Sequence, residues 1–172
     1  MTLQDFYRQR CEADTDINEH LPTLYELVLE LNAQQVIELG VRWGDSTSAF
    51  LAALEQTGGK LWSCDIVEPL APIASFWGRC PHWTFVLGDD QDLADEAPDG
   101  VDILFIDTSH EYEHTLWEME HYGSKVRSGG RIVLHDTMIE AVVESIEMFL
   151  QDREWKYTNT EACNGLGIIY KP

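Results

Sequence analysis

Two pairs of residues in this chain are of the types that move protons or hold cations: Asp107 with His110, and His135 with Asp136. Imidazole titrates near neutrality and suits a general base. Two carboxylates beside a histidine can hold a divalent cation. As a metal set the sequence offers Asp107, His135 and Asp136. As groups that handle protons or orient a substrate it offers Asp107, His110 and His135. Carboxylates alone favour Mg²⁺, whereas the imidazole of His135 favours Mn²⁺ or another borderline cation. The plainer alternative is a histidine bonded to backbone and an aspartate capping the next helix.

A second group is built on glycine. Val36-Ile37-Glu38-Leu39-Gly40-Val41-Arg42-Trp43-Gly44-Asp45-Ser46 is an apolar strand that runs into an acid and a glycine-punctuated turn. Gly40 and Gly44 leave room for a close approach, and Ser46 and Thr47 can cap the N–H groups of a following helix. The turn lacks the G-x-G-x-x-G spacing of a dinucleotide fold and the Lys-Ser/Thr of a phosphate loop, which disfavours polyphosphate ligands. Asp65 closes the next strand, where its carboxylate can accept ribose hydroxyls. Gly88-Asp89-Asp90 closes the one after, and its acids can meet an adenine amino group or form a plain turn. An ordinary strand-to-helix turn and two solvated acids are the competing description. Trp43, Trp77 and Trp83 lie near these loops and can wall a pocket or fill the core. Glu19 and His20 can reach toward a cofactor or sit at the surface.

These residues need a scaffold that brings strand ends together. Residues 3–32 read as helical, with a helix starting at 16–18 and carrying Leu21, Leu24, Leu27, Val28 and Leu31 on one side. Strands are expected at 35–39, 60–66, 83–87, 101–106 and 131–134, the last entered through a turn at Gly129-Gly130. Helices are expected at 46–56, 72–79, 111–126 and 139–152, with a weak helix or loop at 90–97. Residues 155–160 and 166–170 read as an antiparallel hairpin around Asn164-Gly165. Continuous apolar runs such as Val101-Asp102-Ile103-Leu104-Phe105-Ile106 favour a parallel sheet covered on both faces.

The 172 residues suit one domain, taken as 1–172 with a helical lid at 1–34 and a core at 35–172. Eleven Lys and Arg stand against 31 Asp and Glu, a formal charge of −20, which repels nucleic acid and anionic membranes. Cys11, Cys64, Cys80 and Cys163 form no C-x-x-C pair and suit a reducing compartment. The absence of a membrane-length apolar run or signal-peptide core predicts a soluble, cytoplasmic protein.

The ordered motifs Glu38-x-Gly40-x-x-x-Gly44, Asp65, Gly88-Asp89, Phe105-Ile106-Asp107-Thr108-Ser109-His110 and Gly129-Gly130-Arg131-Ile132-Val133-Leu134-His135-Asp136 resemble those of class I S-adenosylmethionine-dependent methyltransferases. The resemblance extends to the branch of small-molecule and sugar O-methyltransferases and cephalosporin-hydroxylase-like proteins, over residues 35–172. It implies an α/β, Rossmann-like, doubly wound, mostly parallel seven-stranded sheet with a C-terminal antiparallel hairpin. It implies a cofactor shell of Glu38, Gly40, Val41, Gly44, Ser46, Asp65, Ile66, Gly88, Asp89 and Asp107 around S-adenosyl-L-methionine. The expected activity is methylation of a small hydroxylated metabolite, with Mg²⁺ or Mn²⁺ assistance and with self-association left open. The alternatives are a non-catalytic S-adenosylmethionine-binding protein and a nicotinamide-dependent oxidoreductase.

Overall fold

A computed structural model of the chain describes residues 1–76 and 78–172. Among them, β1 (Gln35–Leu39), β2 (Lys60–Asp65), β3 (Trp83–Leu87), β4 (Val101–Ile106) and β5 (Val126–His135) pair in parallel. β6 (Lys156–Thr160) and β7 (Leu166–Tyr170) form the expected hairpin, with β7 antiparallel to both β5 and β6. The seven strands lie in the order β3-β2-β1-β4-β5-β7-β6. The chain moves outward from β1 to β3, then crosses back to place β4 on the other side of β1. A crevice opens at such a reversal, outside the carboxyl ends of the strands.

Side-chain alternation divides the core between the two faces. Ile103 and Phe105 pack with Leu24, Phe50, Leu51 and Leu54. Leu104 and Ile106 pack with Met119, Tyr122, Ile146 and Phe149. The first face is covered by α1 (Leu3–Cys11), α2 (Leu21–Glu30) and α3 (Asp45–Thr57). The second is covered by α5 (Tyr112–Lys125) and α6 (Glu140–Leu150), with the short α4 (Asp90–Leu93) following β3. The doubly wound, mostly parallel sheet with its terminal hairpin is the architecture expected.

Local sequence explains most boundaries. Thr2 and Asp5 cap the start of α1 reciprocally, and Pro22 sits in the first turn of α2, where its missing N–H is harmless. Three details depart from the sequence reading. Residues 12–17 are irregular and lead into a 3₁₀ turn at Asn18–His20, so the first part is two helices joined by a strap. The helix expected at 72–79 is a 3₁₀ turn at Ile73–Ser75 among the described residues. β5 begins at Val126 and passes through Gly129-Gly130 with a register shift against β4, so these glycines sit in an irregular strand rather than before one. A Cβ on Gly130 would stand 2.8 Å from the Asp102 carbonyl oxygen, which explains the glycine. The helices of the expected lid bury Phe6, Leu21, Leu24 and Val28 in the core, and only Asp16 and Ile17 of the strap reach the crevice. Among the described residues no helix is long and apolar enough to cross a membrane.

Candidate active site

The loops after β1, β2, β3, β4 and β5 line one cleft of about 630 Å³, within the range of small-molecule and cofactor sites. Asp65 organises its entrance. Its Oδ2 accepts hydrogen bonds from the backbone N–H groups of Val41 (2.8 Å) and Arg42 (3.0 Å), and Oδ1 accepts from Val67 N–H (3.0 Å). The carboxylate thus clasps the first turn to the end of β2. Two acceptor positions per oxygen leave Oδ1 one place for a ligand hydroxyl, where the sequence suggests a carboxylate free to accept both hydroxyls of a ribose. The same bonds use the turn N–H groups that would face a pyrophosphate.

The glycines of this turn serve the scaffold. A Cβ on Gly40 (φ +90°) would collide with the carbonyl oxygen of Asp107, because β1 and β4 end side by side. A Cβ on Gly44 (φ +77°) would collide with Ile73, so Gly44 lies behind the cleft wall. Glu38, expected beside the cofactor, is fully buried beneath the turn and does not reach the cleft. It accepts hydrogen bonds from Ser46 Oγ (2.7 Å), Thr47 Oγ1 (2.9 Å) and Ser63 Oγ (2.6 Å). Burial pushes its carboxyl up to about 7, against the opposing pull of the hydroxyls. Trp83 donates from Nε1 to Ser63 Oγ at 3.0 Å and belongs to this buried network, not to a ligand platform. Trp43 lines the cleft and is 48% exposed, whereas Trp77 lies outside the described residues.

Gly40, Val41, Ser46, Asp65, Ile66, Gly88, Asp89 and Asp107 all line the cleft. Asp89 also caps α4, accepting from Gln91 N–H at 2.9 Å. At the floor, Asp107, His110, His135 and Asp136 form a ring of alternating charge. His110 Nε2 lies 3.2 Å from Asp107 Oδ1 and 2.9 Å from Asp136 Oδ2. His135 Nδ1 lies 3.4 Å and 3.2 Å from the same two oxygens. Both His110 and Asp136 hold left-handed backbone conformations, φ +58° and +55°, a strain that clusters at functional sites.

The ring corrects two expectations. Hydrogen bonds to Asp107 and Asp136 raise His110 to about 9, so at neutral pH it is an imidazolium rather than a free base. His135 has only 1% of its side chain exposed and closes the ring on its buried side, out of the cleft. Its Nε2 meets the carbonyl oxygens of Asp16 (3.1 Å) and Cys163 (3.0 Å), so that nitrogen must carry a proton. Its Nδ1 faces two carboxylates and needs one as well. Burial opposes that charge, but Asp107 and Asp136 outweigh it and hold His135 at about 10. With both nitrogens occupied, His135 is a poor metal ligand. The ligand atoms that converge are those of Asp107, His110 and Asp136, which lie within 4.8 Å of one another. His20 is buried, with Nε2 2.8 Å from the Ala162 carbonyl oxygen, rather than reaching a cofactor.

The sequence reading missed Asp16 and Ile17 in the cleft wall, since nothing local announces a strap folding over a distant strand end. It also missed the His114 and Glu118 pair, although their four-residue spacing places them on one face of α5.

An open α/β sheet with a cleft at its switch point defines a class of ligand-binding folds. Within that class, residues 37–137, more than half of the chain, match a methyltransferase-domain family, and the chain belongs to it. Nothing among curated proteins matches the sequence. Among solved structures, a candidate caffeoyl-CoA O-methyltransferase from Staphylococcus aureus superposes with a TM-score of 0.76 at 14% identity, covering 89% of this chain and 83% of that one. The O-methyltransferase from Bacillus cereus in complex with SAH gives 0.70 at 18% identity over 98% and 89% of the two chains. TomG from Streptomyces achromogenes, an O-methyltransferase of tomaymycin synthesis solved with SAM, gives 0.70 at 16% over 90% and 81%. At such identities the likeness is one of fold.

Proposed function

We propose that the protein transfers a methyl group from S-adenosylmethionine to a hydroxyl of a small metabolite. The observation that carries this reading is the use of the Val41 and Arg42 N–H groups by Asp65. A turn so occupied repels pyrophosphate, which argues against a nicotinamide dinucleotide. The lining includes Asp16, Asp45, Asp65, Asp89, Asp90, Asp107, Glu111 and Asp136, against Arg42 and two histidines. That balance suits a sulfonium cation. The methyltransferase family and the SAM- and SAH-bound folds support the same cofactor.

The chain's residues divide the work. Asp65 Oδ1 receives a ribose hydroxyl, Asp89 faces the adenine end, and Ile66, 74% exposed at the cleft edge, offers apolar surface. Asp107 and Asp136 form the floor on which the acceptor is oriented, and orientation supplies most of the rate in an in-line displacement. Asp107, His110 and Asp136 fit a divalent cation, with two oxygen donors and one nitrogen donor that favour Mn²⁺ over Mg²⁺. When bound, such a cation lowers the pKa of an acceptor hydroxyl. His110 must give up its proton to join that set. His135 keeps its own and holds both carboxylates in position.

The test is transfer of labelled methyl from S-adenosylmethionine to a panel of catechols, phenols and sugars, with Mn²⁺ and with chelator. Label should enter at least one hydroxyl compound, and His110→Ala should lose turnover while cofactor still binds. Cofactor binding with no transfer to any acceptor would instead favour a non-catalytic binding protein.

A further inference from the structure

A second set of ligand-type residues lies beside the cleft, where α5 begins just after His110. Asp90, His114 and Glu118 each bring one ligand atom to within 4.8 Å of the others. His114 Nε2 stands 3.1 Å from Asp90 Oδ1, 3.2 Å from Asp90 Oδ2 and 3.6 Å from Glu118 Oε1. Glu118 is fully buried. Its Oε1 accepts a hydrogen bond from Thr108 Oγ1 at 2.8 Å, but its Oε2 has no hydrogen-bond partner among the described residues. A buried carboxylate oxygen without a donor requires an explanation. Charge poses the same question, since one imidazolium cannot neutralise two carboxylates. Either a proton or a cation must occupy the space between them.

We propose that Asp90, His114 and Glu118 bind a borderline divalent cation of the zinc class, separate from the set at the floor of the cleft. One imidazole nitrogen and two carboxylate oxygens suit Zn²⁺ and disfavour Mg²⁺ and Ca²⁺, which prefer oxygen alone. A cation there gives the buried Glu118 carboxylate a further partner and neutralises the excess negative charge. Asp90 and His114 face the cleft, which leaves an open coordination position on that side. The cation ties α4, only four residues long, to α5 and so fixes the Gly88-Asp89 loop. Tyr122 already fastens the same point, donating from its hydroxyl to the Asp90 carbonyl oxygen at 2.6 Å.

Equilibrium dialysis against Zn²⁺, with metal counted per chain, tests this without S-adenosylmethionine, so its outcome is independent of the methyl-transfer reading. His110→Gln/Asp136→Asn disables the floor set and should still bind one zinc. Adding Glu118→Gln should weaken that binding at least about tenfold. His114→Gln, at a half-buried position, should do the same and serves if the Glu118 variant fails to fold by circular dichroism. Loss of all zinc from His110→Gln/Asp136→Asn would overturn the proposal. Unchanged affinity in the folded Glu118 or His114 variants would also overturn it, and would assign the space to a shared proton.

Discussion

Glu38 is a carboxylate sealed from water and held by three hydroxyls, and its titration follows from that position. Unfolded, it releases its proton near 4.5, whereas in the folded protein it does so near 7. Between those values the folded state keeps a proton that the unfolded chain has lost, so stability falls as pH rises through the window and is flat beyond it. The full penalty is about 3 kcal/mol. Urea unfolding from pH 4.5 to 8 should show wild type losing roughly this much relative to Glu38→Gln; parallel curves would contradict it. Gly40 makes a steric counterpart. Gly40→Ala must collide with the Asp107 carbonyl and strain a φ of +90°, and thermal unfolding should show a loss of at least about 3 kcal/mol. Gly58→Ala, at φ +76° in open space, should cost only about 1 kcal/mol. Glu38 and Gly40 were both prominent in the sequence, yet their partners were not. What each touches depends on β1 lying between β2 and β4, and the residues themselves carry no record of that pairing.

At the scale of elements, the strands were the most legible part. β1, β3, β4 and β7 begin and end where their apolar runs and turn residues indicate, because burial on two faces leaves a continuous signal in the chain. The crossover after β2 and the first half of β5 were harder to read. Residues 72–79 look helical but, among the described residues, include only a 3₁₀ turn whose Ile73 fills the space beside Gly44, and Gly129-Gly130 imitates a turn inside a strand. The strap at 12–17 was invisible because His135, more than a hundred residues away, holds it. That histidine joins the strap through Asp16 and the hairpin loop through Cys163, while its charge separates two carboxylates. His135→Gln should therefore cost about 3 kcal/mol, since it removes the buried one of the two imidazolium groups that hold Asp107 and Asp136. Hydrogen exchange should quicken in residues 12–17 and 161–165 together. Protection unchanged in both segments would mean the strap is held by its apolar contacts alone.

Across the whole molecule, a net charge of −20 is distributed so that eight carboxylates surround one cleft at the reversal of strand order. The reversal of strand order places the cleft, and its acids give it a negative charge. The general position of this site was legible because strand-end acids recur at the interval of a βα unit. The division of the four floor residues into a buried imidazolium and three cleft-facing side chains was not, since it turns on which ring nitrogen meets which carbonyl. The most direct measurement is calorimetric titration of the protein with S-adenosylmethionine, S-adenosylhomocysteine and NAD⁺. One molecule of each adenosyl sulfur compound should bind per chain, with no heat from NAD⁺. Saturable binding of NAD⁺ alongside silence from both sulfur compounds would contradict the account.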